Sequence, residues 1–358
     1  TSSIQSSVGE SGTISFTAQL SAVSGFDVTV PFVVSGSATS TDYTVTASPI
    51  TILAGGTTGT ATITVTTDTL NETDETVVLT IGTPTNGTQG AITVHTATIT
   101  NDDSQPTVSW TAASQVSGNE SGTMLVTAQL SAVSGLDVTV PFVVSGSATT
   151  TVDYTVTASP ITILAGGTTA TATITITGDT INELNETVVL TMGTPTNGTV
   201  GAVTEHTATI TDDESKPTVT FTKLNQSSAE SVTTQTITVA LNTASGLPVT
   251  VLFTVSGSAT TTVDYTVTAS PVVIAAGATT TTITITVVDD TLNENPETVI
   301  VTMGTLTNGT AGATTTHTAT ITDNDAQPTV TFTTGSQSQL ESVVTQTITV
   351  AINTASGL

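Results

Sequence analysis

The acidic residues of this chain recur at a fixed spacing. Asp42, Asp153 and Asp264 each begin an Asp-Tyr-Thr triplet, and the steps between them are 153 − 42 = 111 and 264 − 153 = 111 residues. The same step separates Asp68, Asp179 and Asp290, and a glutamate follows each of them four residues later: Glu72, Glu183 and Glu294. A period of this length corresponds to one domain, so the sequence predicts a tandem array.

The repeats divide the chain into four segments. We assign residues 1–105 to a first repeat without its first strand, 106–216 to a second, 217–327 to a third, and 328–358 to the start of an incomplete fourth. Residue 1 aligns with Thr111, so the counterpart of Pro106 to Trp110 is missing from the first repeat. We therefore expect this sequence to be part of a longer array.

Each repeat has the pattern of an all-β domain. In the second repeat, alternating apolar and Thr-rich segments predict seven strands, at residues 107–110, 123–130, 137–144, 154–164, 169–177, 186–192 and 206–211. Gly, Pro and Asn turn sequences separate these segments, and no stretch has a helical period. Seven short strands in about 110 residues are typical of an immunoglobulin-like antiparallel β-sandwich.

The charge balance excludes several classes of function. The chain carries 28 acidic and 2 basic residues, a net charge of −26. Nucleic acids and anionic membranes would be repelled, and no apolar run is long enough to span a bilayer. A hydrophobic content of 36% and a mean hydropathy of +0.27 argue against disorder. The absence of cysteine excludes disulfides, zinc–thiolate sites and a cysteine nucleophile.

Strand order predicts that the acids of one repeat lie together. If successive strands run up and down, the connections 1–2, 3–4 and 5–6 and the end of strand 7 lie at one pole of the sandwich. In the second repeat these segments hold Glu120, Asp153, Asp179, Glu183, Asp212, Asp213 and Glu214. The opposite pole holds Asp137 and Glu205.

Such a pole is suited to Ca²⁺. This ion takes about 6–8 oxygen ligands, whereas Mg²⁺ demands stricter geometry and softer metals prefer Cys or His. The sequence after Asp68 does not follow the EF-hand pattern, since Leu70 and Thr73 occupy its third and sixth positions. The site must therefore be assembled from distant loops, unless the acidic loops are only solvated.

Other recurring residues favour structural roles. His95, His206 and His317 share a face with inward Ala and Ile residues, which predicts structural histidines, and the repeated Tyr43, Tyr154 and Tyr265 are expected to cap the core. Thr rows are typical of exposed strands rather than of ice binding. No distinctive catalytic set is present, so we predict that the chain is not an enzyme. A carbohydrate-binding module is disfavoured because aromatic residues make up only 3% of the chain.

These motifs together resemble the Calx-beta repeat family of sodium–calcium exchangers, integrin β4 and large bacterial surface proteins. The resemblance rests on Glu-Ser-Gly-Thr from Glu10 and from Glu120, and on Gly-Ser-Ala-Thr-x-x-Asp-Tyr-Thr from Gly36 to Thr44. It also rests on Asp-Thr-Leu-Asn-Glu followed by Glu-Thr-Val, and on a closing Asp/Asn triplet. It covers the whole chain and implies sandwich domains that bind Ca²⁺ at one pole.

The resemblance also implies the calcium ligands. In the first repeat they are Glu10, Asp42, Asp68, Glu72, Asp102 and Asp103, with the Leu70 carbonyl as a further ligand. In the second they are the seven acids already placed at one pole. In the third they are Glu230, Asp264, Asp290, Glu294, Asp323 and Asp325. Asn101 and Asn324 depart from the acidic pattern of the closing triplet, so we expect unequal binding among the repeats.

These features lead to one functional hypothesis and one alternative. We expect a structural, calcium-binding segment of a long extracellular fibre, adhesin stalk or surface filament, in which Ca²⁺ stiffens the junctions between repeats. Its partners are neighbouring repeats of the same chain, with self-association into fibres or contact with a cell surface as further candidates. The alternative is a calcium-sensing or ligand-binding ectodomain, which would differ in calcium affinity.

Overall fold

The computed structural model describes residues 8–357, and its secondary structure there consists of strands without helices. Among these described residues, none lies in a helix that could cross a membrane. The chain divides into two compact units, residues 1–177 with 186–210 and residues 178–185 with 211–358. The all-β prediction is therefore confirmed.

The first repeat forms a sandwich of nine strands. They are β1 (Val8–Gly9), β2 (Thr13–Gln19), β3 (Val28–Val30), β4 (Phe32–Gly36), β5 (Tyr43–Val45), β6 (Ile50–Ile52), β7 (Thr58–Val65), β8 (Glu75–Ile81) and β9 (Val94–Thr100). One sheet has the order β1-β9-β8-β4, another β2-β7-β5, and β3 pairs with β6. Alternation along β7 buries Ala61, Ile63 and Val65, which pack with Phe16 and Leu79 in the core.

The second repeat follows the same plan and adds two strands at one edge of one sheet. Its elements are β10 (Thr107–Trp110), β11 (Ser114–Val116), β12 (Gly122–Leu130), β13 (Val138–Val140), β14 (Phe142–Gly146), β15 (Tyr154–Val156), β16 (Ile161–Ile163), β17 (Thr169–Ile176), β18 (Glu186–Met192), β19 (Thr199–Val200) and β20 (Glu205–Ile210). The sheets are β15-β17-β12-β10-β19 and β11-β20-β18-β14, and β13 pairs with β16. Trp110, 1% exposed, lies in the core between them.

The third repeat has two five-stranded sheets. Its strands are β21 (Thr218–Phe221), β22 (Asn225–Ala229), β23 (Thr234–Leu241), β24 (Val249–Gly257), β25 (Tyr265–Val267), β26 (Val272–Ile274), β27 (Thr280–Val287), β28 (Glu297–Thr307), β29 (Thr310–Ala311) and β30 (Thr316–Thr322). Their orders are β25-β27-β23-β21-β29 and β22-β30-β28-β24-β26. A final hairpin pairs β31 (Val330–Phe332) with β32 (Val350–Ile352).

Two predicted segments join the layers of the sandwich. The fourth, predicted at 154–164 with an interruption at Ser159-Pro160, forms β15, which pairs with β17, and β16, which pairs with β13. The third, predicted as one strand at 137–144, is divided into β13 and β14, and β14 pairs with β18. In both cases one segment of chain joins two layers, which is how sandwiches form their corners. The first strand matches β10, and a further strand that was not predicted, β11, follows it and pairs in parallel with β20.

Candidate metal centre

Three carboxylates from different elements meet at one pole of the first repeat. Glu10 follows β1, Asp68 follows β7 and Asp103 follows β9, and one oxygen from each lies within 4.8 Å of the other two. Glu10 is 9% exposed. Its Oε2 and the Oδ2 of Asp103 are shielded from solvent and have no hydrogen-bond partner among the described residues. Buried oxygens without donors are suited to a cation.

A second group of three lies at the same pole. Asp42 precedes β5, Glu72 lies between β7 and β8, and Glu75 begins β8, with oxygens again within 4.8 Å of one another. The backbone N–H and hydroxyl of Thr39 both donate to Asp42 and hold its carboxylate in place. The two groups line one cavity, of about 10 Å³, through Glu10, Asp42, Asp68, Glu72 and Glu75. That volume is close to the space that a single water or ion needs.

The third repeat reproduces both groups within the second unit. Glu230, Asp290 and Asp325 form one, and Asp264, Glu294 and Glu297 form the other. Glu230 is 6% exposed, and Asp325 Oδ2 has no hydrogen-bond partner among the described residues. The cavity between the groups is again about 10 Å³, and Asp323 contributes to its lining. The same geometry recurs in two repeats, which supports a specific metal site and not a chance cluster of surface acids.

In the second repeat the acids are divided between the two units. In the first unit, Asp153 accepts a hydrogen bond from the backbone of Thr149, as Asp42 does from Thr39. Glu120 lies half-buried before β12. In the second unit, Asp179 accepts a hydrogen bond from the N–H of Ile181, and Glu183 lies in the same short segment. Asp212, Asp213 and Glu214 follow β20, where Asp213 is exposed.

Asparagine side chains position the loop that carries two of the acids. Asn182 donates to the Asp212 carboxylate at 2.8 Å and to the Glu214 carbonyl at 3.0 Å, and Asn293 donates to Asp323 at 2.8 Å. In the first repeat, Asn71 donates to the Asp103 carbonyl at 3.3 Å. These three asparagines are 6–7% exposed. They therefore tie the connection between the fifth and sixth strands to the end of the seventh.

Asn101 keeps a positioning role where the other repeats have aspartate. It accepts the backbone N–H of Glu72 at 3.0 Å, while the aligned Asp212 accepts that of Glu183 at 2.7 Å. The substitution therefore removes a negative charge but leaves the loop geometry in place.

In the first repeat, the predicted ligand Asp102 lies outside both groups of three carboxylates. Asp102 is exposed beside Gly9, where a Cβ would meet its Oδ2 at 2.8 Å. The Leu70 N–H donates to Asp68 at 2.7 Å, as Leu292 does to Asp290. Coordination by the Leu70 carbonyl remains a prediction.

The carboxylates at the pole lie close to one another and have no lysine or arginine among them, and this raises the pKa of several of them. Burial, together with repulsion from Asp103 and Asp68, raises the pKa of Glu10 to about 7, and burial with Asp323 and Asp290 does the same for Glu230. Burial and Asp42 raise the pKa of Glu75 to about 7. Burial also acts on the pKa of Asp42, but the hydrogen bonds from Thr39 and Thr41 outweigh it and lower that pKa. A divalent cation would relieve the repulsion that these shifts record.

Sequence reasoning missed one glutamate in the second group of the first repeat and one in the second group of the third repeat. Glu75 and Glu297 complete groups with Asp42 and Asp264, and Glu186 is their counterpart in the second repeat. Each of them is the first residue of a strand, β8, β18 or β28. The alternating pattern of that strand led us to assign the residue to the sheet and not to the loop. The available signal was the Glu-Thr-Val triplet three residues after Glu72, which places two glutamates one short turn apart.

The recurring His and Tyr residues are buried in the second and third repeats, whereas His95 and Tyr43 of the first repeat are partly buried. His206 and His317 are 2% and 1% exposed, and their Nδ1 atoms lie 2.7 Å from the carbonyls of Ala112 and Lys223. The hydroxyl of Tyr154 accepts a hydrogen bond from Thr150 at 3.0 Å. These side chains join core and loops and lie outside the acidic groups.

Comparison with known proteins identifies the class of domain. The Calx-beta domain profile matches residues 9–105, 101–214 and 212–327. The chain therefore belongs to the Calx-beta family, as three tandem domains. Calx-beta domains bind calcium, and the oxygen-only donor set of the first and third repeats fits that ion. No curated protein sequence matches the chain significantly.

Solved structures with similar folds include Calx-beta proteins. The crystal structure of CBD12 from CALX1.2 is 15% identical, covering 60% of this chain and 99% of its own, with a TM-score of 0.29. The calcium binding domain CBD12 of CALX1.1 is 13% identical, covering 57% and 96%, with a TM-score of 0.28. The apo-form Calx CBD1 domain is 17% identical, covering 31% and 100%, with a TM-score of 0.29.

Proposed function

We propose that this chain is a structural, calcium-binding segment of a long extracellular fibre or adhesin stalk, in which bound Ca²⁺ stiffens the joints between repeats. The observation that carries the proposal is a recurring contact from the acidic loop of one repeat to the next repeat. Within the first unit, the Asn71 carbonyl accepts the N–H of Gly135 at 3.0 Å and the Ser134 hydroxyl at 3.4 Å. We call this contact the clasp.

The clasp recurs within the second unit. The Asn182 carbonyl accepts the N–H of Gly246 at 3.1 Å and the hydroxyl of Ser245 at 3.2 Å. The Asn293 carbonyl makes the same contacts with Gly357 and Ser356, at 3.2 and 3.5 Å. Ser134 and Ser245 are 1% exposed, so water competes poorly for these hydrogen bonds.

Each clasp is contiguous with the candidate metal ligands. Asn71 precedes Glu72, whose side chain lies against the next repeat: a Cβ on Gly135 would meet Glu72 Oε1 at 2.7 Å. Asp68 is held to the same loop by the Leu70 N–H. An ion bound by Asp68 and Glu72 would therefore immobilise the loop that grips the next repeat. Stiffness in repeat arrays is decided at such nearest-neighbour contacts.

The experiment is small-angle scattering of the whole chain during a calcium titration. We expect the maximum dimension to increase and its spread to narrow as calcium is added, while the far-ultraviolet circular dichroism stays constant. Magnesium at equal ionic strength is the control. Scattering that is the same with calcium and with chelator, despite measured calcium binding, would contradict a role at the joints.

Calcium affinity separates this proposal from a sensor. A stalk needs sites that are saturated in its surroundings, whereas a sensor needs sites half-filled at its working concentration. Isothermal titration with Ca²⁺ gives that affinity directly. Half-saturation near resting intracellular calcium would favour the calcium-sensing or ligand-binding alternative.

A further inference from the structure

Two threonines hold a backbone conformation that their side chains disfavour. Thr151 and Thr262 lie at equivalent positions of the second and third repeats, and each has a φ of +71°. A β-branched residue is strained in this left-handed region, because its Cβ lies too close to the following carbonyl oxygen. The other described residues at positive φ are glycines and the asparagines of three Asn-Gly turns, which tolerate it: Asn86, Asn197 and Asn308. Within the described part of the chain, the two threonines are therefore exceptions.

Each strained threonine lies in a loop that carries a candidate calcium ligand. In the third repeat, Thr262 precedes Asp264 by two residues, and its N–H donates to the Tyr265 carbonyl at 2.7 Å. The N–H of Thr260 donates to the Asp264 carboxylate. Thr262 is exposed and Val263 is 57% exposed, so core packing does not hold the tip of the loop. Hydrogen bonds at the two ends of the loop keep Thr262 in its strained conformation.

The first repeat carries the same ligand on a loop that is one residue shorter. Three residues, Thr39 to Thr41, precede Asp42 there, whereas four, Thr260 to Val263, precede Asp264. None of the described residues from 37 to 43 has a positive φ. The N–H and hydroxyl of Thr39 and the hydroxyl of Thr41 all donate to Asp42. The aspartate can therefore be held without strain, so the fold itself does not require the strain of the longer loop.

The strain and the charge of the site act on the longer loop in the same direction. Asp264 lies with Glu294 and Glu297, and one oxygen from each is within 4.8 Å of the other two. Carboxylates at this separation repel one another when no cation lies between them. Movement of the loop away from the two glutamates would relieve both this repulsion and the strain at Thr262. A cation bound by all three carboxylates removes the repulsion but keeps the loop strained.

We propose that Thr262, and Thr151 at the equivalent position, lower the calcium affinity of their repeats, because part of the binding energy is used to hold the loop in its strained conformation. Thr262 acts through Asp264, so it is a positioning residue and not a ligand. The loop has a strained state that binds the ion and a relaxed, open state, and calcium shifts the population towards the first. The apparent affinity falls by the fraction of chains in the binding state. As calcium falls, the Asp264 loop opens.

This inference rests on calcium binding, which is part of the proposed function, but not on the stiffening of the joints. Its test therefore measures the affinity of one loop and its effect on stability, and its failure is distinct from a scattering curve that does not respond to calcium.

The first test compares the calcium affinity of Thr262→Asn with that of the wild type, in the whole chain. Asparagine adopts a positive φ with little strain and keeps the length of the loop. Terbium emission excited through tyrosine reports the ions, and the part of it that disappears in Tyr265→Phe belongs to the third repeat. Displacement of terbium by Ca²⁺ then gives the affinity there. We expect displacement at about tenfold lower calcium in Thr262→Asn, which corresponds to strain at the low end of its usual range.

Ser40→Asn is the matched control for this substitution. Ser40 lies at an exposed position of the shorter loop and has no positive φ, so there is no strain to relieve. Its affinity, measured in the same way through Tyr43, should be that of the wild type.

The second test exchanges the lengths of the two loops. Deletion of Val263 gives the third repeat the loop length of the first, and insertion of a valine between Thr41 and Asp42 does the reverse. We expect the deletion to tighten calcium binding in the third repeat and the insertion to weaken it in the first.

Thermal melts with calcium and with chelator distinguish an effect on affinity from one on stability alone. We expect Thr262→Asn to raise the melting temperature more in calcium than in chelator, because the gain in affinity adds to the native state only when the ion is bound. An equal rise in both conditions, with unchanged affinity, would mean that the strain is the same with and without the ion, and would overturn the proposal. A Val263 deletion that binds calcium no more tightly than the wild type would also overturn it.

Discussion

The Oδ1 atom of Asn101 accepts the backbone N–H of Glu72 at 3.0 Å, and Asp212 makes the same bond to Glu183 in the next repeat. At this position either asparagine or aspartate can accept the hydrogen bond that shapes the loop, but only aspartate adds a negative charge. The family resemblance implies that the residue at this position is a calcium ligand. The hydrogen bond explains why asparagine can stand there without loss of the loop.

Asn101→Asp should increase the calcium affinity of the first repeat. An added carboxylate near a partly exposed site contributes about 1 kcal/mol, or roughly fivefold in Kd. The same variant should be less stable in chelator, because it adds a charge to a crowded group. Gln19→Glu adds an equal charge at the far end of β2 and is the control. Calcium titration of both variants that shows equal affinities would contradict this expectation.

Asp42→Asn should weaken calcium binding far more than Asp27→Asn. Asp42 belongs to a group of three carboxylates with Glu72 and Glu75, whereas Asp27 accepts the N–H of Ala54 at 2.7 Å. The second repeat offers the same comparison, because Asp137 accepts the N–H of Ala165 at 2.8 Å. Asp153→Asn should therefore reduce affinity and Asp137→Asn should chiefly affect stability. Equal affinities within either pair, measured by calorimetry, would disprove the placement of the site.

Much of this site was predictable because strand order alone decides which loops share a pole. Alternation located the core strands, and the parity of connections placed the acids of the second repeat at one pole. The family resemblance implied the corresponding acids of the first repeat, of which Glu10, Asp68 and Asp103 form one group. Glu75 was not predictable in this way, because a residue that begins a strand belongs to the loop and to the sheet at once. The clasp between Asn71 and Gly135 was also not predictable. Sequence patterns indicate which residues face the core of a repeat, but they do not indicate how two repeats contact each other.

Calcium should raise the melting temperature of the chain. Binding to the native state alone adds RT ln(1 + [Ca]/Kd), about 2.7 kcal/mol at a hundredfold excess over Kd. For domains of this size we expect a shift of several degrees in differential scanning calorimetry. Elemental analysis of the dialysed protein provides the control for residual metal. An unchanged melt together with no bound metal would rule out calcium as the ligand.

The metal-free chain should become more stable as the pH falls from 7.5 to 5. The pKa values of Glu10 and Glu230 are raised from 4.5 to about 7 in the fold, so the folded state binds more protons than the unfolded state between those values. The free energy of unfolding therefore decreases as the pH rises through this window. Thermal melts of metal-stripped protein at several pH values measure it. Glu10→Gln/Glu230→Gln should flatten the dependence, and a steeper one would contradict the assignment.

Gly135→Val should loosen the first joint without removing a carboxylate. A side chain at this position would meet Glu72, because a Cβ there lies 2.7 Å from both Cγ and Oε1 of that residue. The clasp must then open, or Glu72 must turn away and leave its group with Asp42 and Glu75. Gly25→Val is the matched control, since it is the aligned glycine of the first repeat and its Cβ meets nothing within 4 Å. Small-angle scattering with calcium should report a more flexible array for Gly135→Val alone, and calorimetry should report weaker calcium binding if Glu72 has moved. A variant as stiff as wild type, with unchanged affinity, would show that the joint does not depend on the clasp.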